Sequence, residues 1–332
     1  MFIDVYTHIL PPKFKEALYK KMPPGFYYRN MADAFPALTD LDTRFRIMDK
    51  YEGLLHVISP TSLPPENIAD PKGAVELARI ANDEMAELVN KHPDRFAAAV
   101  ACLPMNDVDA ALKEVDRAIT ELRFRGVQIF TNINGKPLDS PEFMPLYEKM
   151  SYYNLPILLH PQRPPNIPDY PTESESKYLV STIFGWPYET TVAMTRLVFG
   201  GVFEKYPDLK VITHHLGAMV PFFAERITAA NDSFEMCGGY RYEQRLTRQP
   251  LDYYRMFFND TAVYGSTPAL MCAYDLFGSD HILFGTDVPF DNQLGDRFTR
   301  QTIQSIEQMD ISGLEKKKIF EDNARNLLRL PV

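Results

Sequence analysis

The chain has 332 residues, 45% of them hydrophobic, with 35 basic against 44 acidic side chains and a formal net charge of −9. That length and hydrophobic content suit one large core, so residues 1–332 are read as a single domain. The acidic balance leaves no broad electropositive footprint, which excludes nucleic acid as a partner class.

Eight short apolar runs punctuate the chain. The first, Phe2 to His8, contains Asp4-Val5-Tyr6-Thr7-His8, with a phenol where a paired His-x-His would supply two imidazoles. Residues 11 to 45 carry Pro11, Pro12, Pro23, Pro24 and Pro36 around an aromatic cluster at Phe26, Tyr27 and Tyr28, and read as a long loop. The second run is Leu54 to Ser59. Ala74, Leu77, Ala78, Ala81, Met85, Leu88 and Val89 then recur at the three-or-four spacing that predicts a helix with one apolar face. Phe96 to Cys102 is the third run, followed by the same helical rhythm at Val108, Ala111, Leu112, Val115, Ile119 and Leu122. The fourth and fifth runs are Gly126 to Phe130 and Leu155 to His160. After the fifth, residues 161 to 190 open with Pro161-Gln162-Arg163-Pro164-Pro165 and close around Trp186-Pro187, a second long excursion. Leu209 to His214, Phe257 to Val263 and His281 to Asp287 complete the set.

Strands buried on both faces read as continuous apolar runs, and their alternation with helices implies parallel crossovers. Eight such units let the sheet close. The expected fold is α/β, a (β/α)8 TIM barrel with room for distortion and with lid-like loops after strands 1 and 5. An open doubly wound sheet is the rival, but no Gly-rich phosphate loop follows any early strand. Both long excursions leave from the edge where barrels do their chemistry, and they are expected to wall a pocket.

Metal-capable side chains end four of the runs on that edge: His8, His160, the pair His214/His215, and Asp287. A divalent ion in a barrel mouth needs imidazole nitrogen and carboxylate oxygen converging from different strands, which His8, His160 and Asp287 provide. Singly, each has an ordinary explanation, a buried histidine or a helix-capping aspartate. Three strand-terminal coincidences on one edge weigh against it. Because side chains alternate across a strand, one of His214 and His215 is expected to face the barrel axis, where an imidazole can hold or remove a proton near neutral pH. Tyr6 has three readings: a phenolate ligand, costly at an ordinary pKa near 10; a neutral hydrogen-bond donor; or a pocket wall. A phenolate would favour iron or manganese over zinc. His56, His92 and His281 read as structural.

Cys102, Cys237 and Cys272 are odd in number and lack C-x-x-C spacing, so neither a disulfide framework nor a zinc knuckle is expected, and a reducing cytoplasm is the default. No apolar run reaches membrane-spanning length, and Met1 to Leu10 has no basic block ahead of an apolar one. No membrane contact or leader segment is expected.

The segments Ile3 to Pro11, Leu158 to Pro161, Gly201 to Val211, His215-Leu216-Gly217 with Pro221 and Arg226, and Leu283 to Phe290 together resemble the amidohydrolase superfamily. Within it the chain is most similar to the amidohydrolase-2 branch of 2-amino-3-carboxymuconate-6-semialdehyde decarboxylase and related aromatic-acid decarboxylases. The similarity runs in order along nearly the whole chain, to Asn323-Ala324-Arg325. It implies one divalent metal ion, zinc first with manganese, iron or magnesium as alternatives, held by first-strand histidines, His160 and Asp287. It implies catalytic roles for His215, chosen over His214 by its distance from Pro221, and for Asp287. Tyr6 stands where one of those ligands is expected. A substrate carboxylate would meet Arg226, which matches a family position, or Arg163 or Arg29, which sit on the long excursions, with Trp186 beside it. A homodimer is expected.

The leading functional expectation is a metal-dependent non-oxidative decarboxylase of a small aromatic or unsaturated carboxylic acid. A hydrolase or hydratase using the same site is the alternative. Two further readings follow from Tyr6: an iron or manganese oxygenase, and a catalytically silent barrel.

Overall fold

The computed structural model describes residues 1–236 and 246–331. Eight parallel strands form its centre: β1 (Phe2–Ile9), β2 (Leu54–Pro60), β3 (Phe96–Ala99, resumed at Ala101–Cys102), β4 (Val127–Phe130), β5 (Ile157–His160), β6 (Val211–Thr213), β7 (Phe258–Asp260) and β8 (Ile282–Leu283). Each pairs with the next in sequence, with Phe2 opposite Leu54, Ala101 opposite Val127, Val127 opposite Ile157, Ile157 opposite Val211, and Asn259 opposite Ile282. The break at Val100 is where the third strand changes neighbour. Val100 N–H still donates to Ile58 on one side, whereas Ala101 N–H donates to Gly126 on the other.

The ring closes between β8 and β1. Val5 N–H donates to the Phe284 carbonyl at 2.9 Å, Asp287 N–H to Tyr6 at 3.1 Å, and His8 N–H to Val288 at 2.9 Å, with a parallel bridge between Thr7 and Val288. β1 carries an irregularity between Asp4 and Thr7. A bulge leaves a backbone donor without its ladder partner. Here the Asp4 carboxylate takes it up, accepting from Tyr6 N–H at 3.1 Å while also accepting from the backbone and hydroxyl of Thr286. Asp4 thus ties the bulge to β8; its burial pushes the carboxyl up to about 7 despite these bonds.

Ile3, Val57, Ala98, Leu158, Ile212 and Leu283, from six different strands, share one buried cluster with Ala324, Leu327 and Leu328 of the last helix. These positions form the inner layer of the ring, and that helix, Asn323–Leu328, packs against β1 and β8. A larger cluster fills the space between the strands and the surrounding helices.

The segment expected as a loop from 11 to 45 is mostly helical, with helices at Pro12–Lys21, Tyr27–Ala34 and Leu41–Met48. Its prolines start elements: Pro12 opens the first helix and Pro36 a short 3-10 turn, where a missing N–H costs nothing and a fixed φ helps. The second excursion keeps its irregular character through residues 161–180, then enters a π-turn at Ser181–Gly185 that runs into the helix Trp186–Phe199. The two predicted amphipathic helices are Pro71–Lys91 and Val108–Thr120. His56 is buried against Arg44, and His281 stacks on Phe258 at 4.5 Å. Cys102 and Cys272 are free thiols; Cys237 lies outside the described residues. No helix of the described residues is long and apolar enough to cross a membrane.

Gly285 marks how tightly the closure is packed. A Cβ there would lie 2.8 Å from the Asp260 Cβ and 3.4 Å from the Tyr6 Cβ. Gly285→Ala should therefore cost about 1–3 kcal/mol of stability, the range for overpacking a filled core. The urea-unfolding midpoint measures it; an unchanged midpoint would mean that β7 and β8 can separate freely.

Candidate metal centre

Period-two alternation carries the inner layer of the ring up to the site. Leu158 is followed two residues later by His160, Ile212 by His214, and Leu283 by Gly285 and then Asp287. His214 is therefore the axial member of the histidine pair. His215 lies past the end of β6 and reaches the site differently, through a left-handed backbone with φ of +57° that continues through Leu216, Gly217 and Ala218 at +58°, +72° and +54°. Asp287 also has a left-handed φ, +65°. Non-glycine residues occupy this region only where the surroundings hold them there.

The side chains converge tightly. His8 Nε2 and His214 Nε2 lie 3.4 and 3.3 Å from the same oxygen, Asp287 Oδ1. The other oxygen, Oδ2, accepts from the Tyr264 hydroxyl at 3.0 Å and lies 3.7 Å from His215 Nε2. Donor atoms of His8, His160 and His214 all fall within 4.8 Å of one another, as do those of His214, His215 and Asp287. His8, His160, His214 and Asp287 are buried almost completely. Apart from the Asp287 carboxylate, the His8 and His214 Nε2 atoms have no partner.

What lies behind each ring fixes which nitrogen faces inward. His8 Nδ1 bonds the Pro60 carbonyl at 2.8 Å and His160 Nδ1 bonds that of Pro161 at 2.7 Å, so each presents Nε2 with its lone pair to the centre. His214 Nδ1 is paired with Asp260, whose other oxygen accepts from Leu216 and Ala262 N–H at 3.2 and 2.9 Å. His215 has the opposite arrangement, with Nε2 3.0 Å from the Tyr264 hydroxyl and Nδ1 buried without a partner. Tyr6 lies flat against His214, ring centres 3.9 Å apart and planes 6° apart, and its buried hydroxyl has no partner.

These contacts set the charges. Burial opposes a charge on His214, yet Asp260 and Asp287 outweigh it and hold the ring up at about 9. Burial likewise opposes the Asp287 carboxylate, but the charge on His214, then the closeness of the His214, His215 and His8 rings, keeps it well below the usual range. Burial, then the neighbouring imidazoles, lowers His160 and His215, so both rings are neutral. Tyr6 is pushed well above the ordinary phenol value by burial and by Asp260 and Asp287. Buried imidazole nitrogens with free lone pairs beside an ionised carboxylate fit a divalent cation, which takes the place of the proton on a ligand.

Above the cluster opens a cavity of about 310 Å³ whose walls include Tyr27, Phe35, Trp186, Phe290 and Phe298, with Asp287 and Tyr264 on its floor. Trp186 stands 5.9 Å from the His160 ring and Phe290 5.3 Å from that of His8. Arg163 lines the cavity and pairs with Glu189 at 3.0 Å. Its stem runs over Gly185, where an added Cβ would collide with Arg163 Cδ.

The structure thus brings together His8, His160, Asp287, His215 and Tyr6, with Arg163 and Trp186 in the cavity above. It does not place Arg226 there: that residue is exposed on the helix Ala224–Met236 and outside the cavity lining. Arg29 is engaged elsewhere, bonding the carbonyls of Tyr19 and Met22. Asp260, Tyr264 and Phe290 escaped the sequence reading. Asp260 ends β7 on the same edge as the other donors, and that position was the available signal.

The amidohydrolase family model matches residues 3–330. The chain belongs to the amidohydrolase family. Among curated relatives, this amidohydrolase is 30% identical to 2-amino-3-carboxymuconate-6-semialdehyde decarboxylase of Dictyostelium discoideum, with 99% of this chain and 91% of that protein covered. It is 33% identical to gamma-resorcylate decarboxylase of Polaromonas sp. (strain JS666 / ATCC BAA-500), with 87% of each covered. A solved dihydroxybenzoic acid decarboxylase from Polaromonas sp. JS666, holding manganese and the inhibitor 2-nitroresorcinol, superposes with a TM-score of 0.80 at 28% identity over 99% of this chain and 96% of that one.

Trp186 is the only tryptophan of the chain. A planar carboxylate such as salicylate should therefore change the protein's tryptophan emission saturably on titration. Emission that stays flat under saturating ligand would place binding outside this cavity.

Proposed function

We propose that this amidohydrolase is a metal-dependent, non-oxidative decarboxylase of a small aromatic or unsaturated carboxylic acid. The observation that carries the reading is the set of inward-facing imidazole and carboxylate donors at the floor of an aromatic-walled cavity with an arginine in its lining. Similarity to decarboxylases along nearly the full chain supports it.

His8, His160 and Asp287 would hold one divalent ion. Zinc is the first choice for a set rich in imidazole, and manganese, the ion in the Polaromonas structure, is the alternative. When bound, the ion supplies a fixed positive charge that orients an anionic acid and polarises its oxygens. The chain's own side chains do the rest. Trp186 and Phe290 flank the donors and suit a flat, unsaturated substrate. Arg163, steadied by Glu189, offers a guanidinium to the carboxylate. His215, neutral and close to both Tyr264 and Asp287, handles the proton. His215 takes up a proton from solvent water and passes it to the carbon bearing the carboxylate; the bond to the carboxyl carbon then breaks, its electron pair stays with that carbon's unsaturated system, and carbon dioxide leaves.

We place the protein in the cytoplasm, on the support of the free thiols Cys102 and Cys272. We also expect a homodimer, for which exposed Ile183, Phe184 and Tyr188 supply apolar surface.

The test is carbon dioxide release by metal-loaded protein from a panel of dihydroxybenzoates and unsaturated dicarboxylates. Turnover of an ester, a lactone or a hydratable double bond with no carbon dioxide from any acid would move the assignment to a hydrolase or hydratase. Within a decarboxylase, His215→Asn should lower kcat by roughly 10²–10⁴-fold, the usual worth of a positioned acid or base, at unchanged metal content. His160→Ala and Asp287→Ala should each lose the metal while far-UV circular dichroism stays that of the folded barrel; wild-type metal content in either would contradict their role.

A further inference from the structure

We infer that His214 takes the ligand place that Tyr6 leaves open on β1, so that the ion is held by His8, His160, His214 and Asp287. The inference rests on the metal site proposed above and adds to it a donor that the first-strand pattern does not contain.

Tyr6 is ill suited to ligate. A phenol must lose its proton to do so. Here it is fully buried, where a phenolate is disfavoured, and is stacked face to face on the His214 imidazole.

His214 has what Tyr6 lacks. Its Nε2 and that of His8 lie 3.3 and 3.4 Å from Asp287 Oδ1. Around an ion with bonds of ~2.0–2.1 Å, ligand atoms in tetrahedral array are ~3.3–3.4 Å apart, so the two spacings to Asp287 match those of neighbouring ligands on one ion. His8, His160 and His214 also share one orientation, with Nδ1 tied outward to Pro60, Pro161 and Asp260 and Nε2 turned inward. An outward hydrogen bond from the far nitrogen is how proteins fix a ligating imidazole, and a carboxylate is a common partner. His215 departs from that orientation, which separates its role from that of its neighbour.

His8, His160, His214 and Asp287 together supply three nitrogens and one oxygen, a set that suits a four-coordinate ion. Tyr6 then serves as a positioning residue, a flat plate that fixes the plane of His214.

Zinc affinity of chelator-stripped protein, measured by competition with a chromophoric chelator, tests the assignment. His214→Gln should weaken binding by more than about 100-fold and Asp260→Asn by about 10–100-fold, the range for an outer partner. Tyr6→Phe should stay within about threefold of wild type. X-ray absorption on zinc-loaded wild-type protein, which needs no variant to fold, should count three imidazoles. Two imidazoles, or zinc lost in Tyr6→Phe and kept in His214→Gln, would overturn the inference while leaving the decarboxylase reading intact. Zinc bound through His214 in a protein that releases no carbon dioxide would remove the activity and leave the ligand standing. A wild-type protein that takes up no zinc, manganese or iron would remove both.

Discussion

The seam between β8 and β1 is the constraint on which the site depends. Three backbone hydrogen bonds join residues nearly the whole chain apart, and two of them belong to His8 and Asp287 themselves. Donors from the two ends of the sequence reach one another because the ring closes at that point. The seam is reinforced by Asp4, whose buried carboxylate satisfies both the bulge at Tyr6 and the backbone of Thr286. Without that clasp the bulge would leave a buried N–H without a partner, a cost of about 1–3 kcal/mol. Gly285 completes the arrangement by leaving no side chain between β7, β8 and Tyr6.

Above the seam, electrostatics and burial oppose each other in a way that defines the chemistry. Several titratable groups share a volume with almost no access to water, an arrangement that is stable only if charges pair or are absent. Asp287 keeps its charge because His214 faces it; His160 and His215 stay neutral because burial disfavours a charge on them and the neighbouring imidazoles add to that. A cation placed among these groups replaces a proton rather than adding an unpaired charge. The same environment that suits a metal ion therefore also leaves His215 neutral, the form able to accept a proton.

Much of this was legible in the sequence, for reasons that can be named. Continuous apolar runs gave the strands because a parallel barrel buries both faces of each. His8, His160 and Asp287 stood out because each closes an apolar run of the sequence on the same edge. Other features could not be read locally. The prolines between 11 and 45 looked like loop residues, but at Pro12 and Pro36 they occupy element starts, and one-dimensional patterning does not separate those uses. The histidine pair left open which ring faces the axis, since β6 ends at Thr213, just before them, and the left-handed turn that begins at His215 lets both contribute. Asp260 was hidden inside a run read as strand through Val263, whereas the strand ends at Asp260 itself.

Asp260 has a further consequence. One of its oxygens orients His214 and the other accepts from Leu216, in the middle of the left-handed stretch that positions His215. A single carboxylate thus underwrites two adjacent imidazoles with different tasks. Drift in this region is correspondingly restricted: a change that frees one histidine to take another geometry unmoors the other, so new specificities are more accessible through the cavity walls than through its floor.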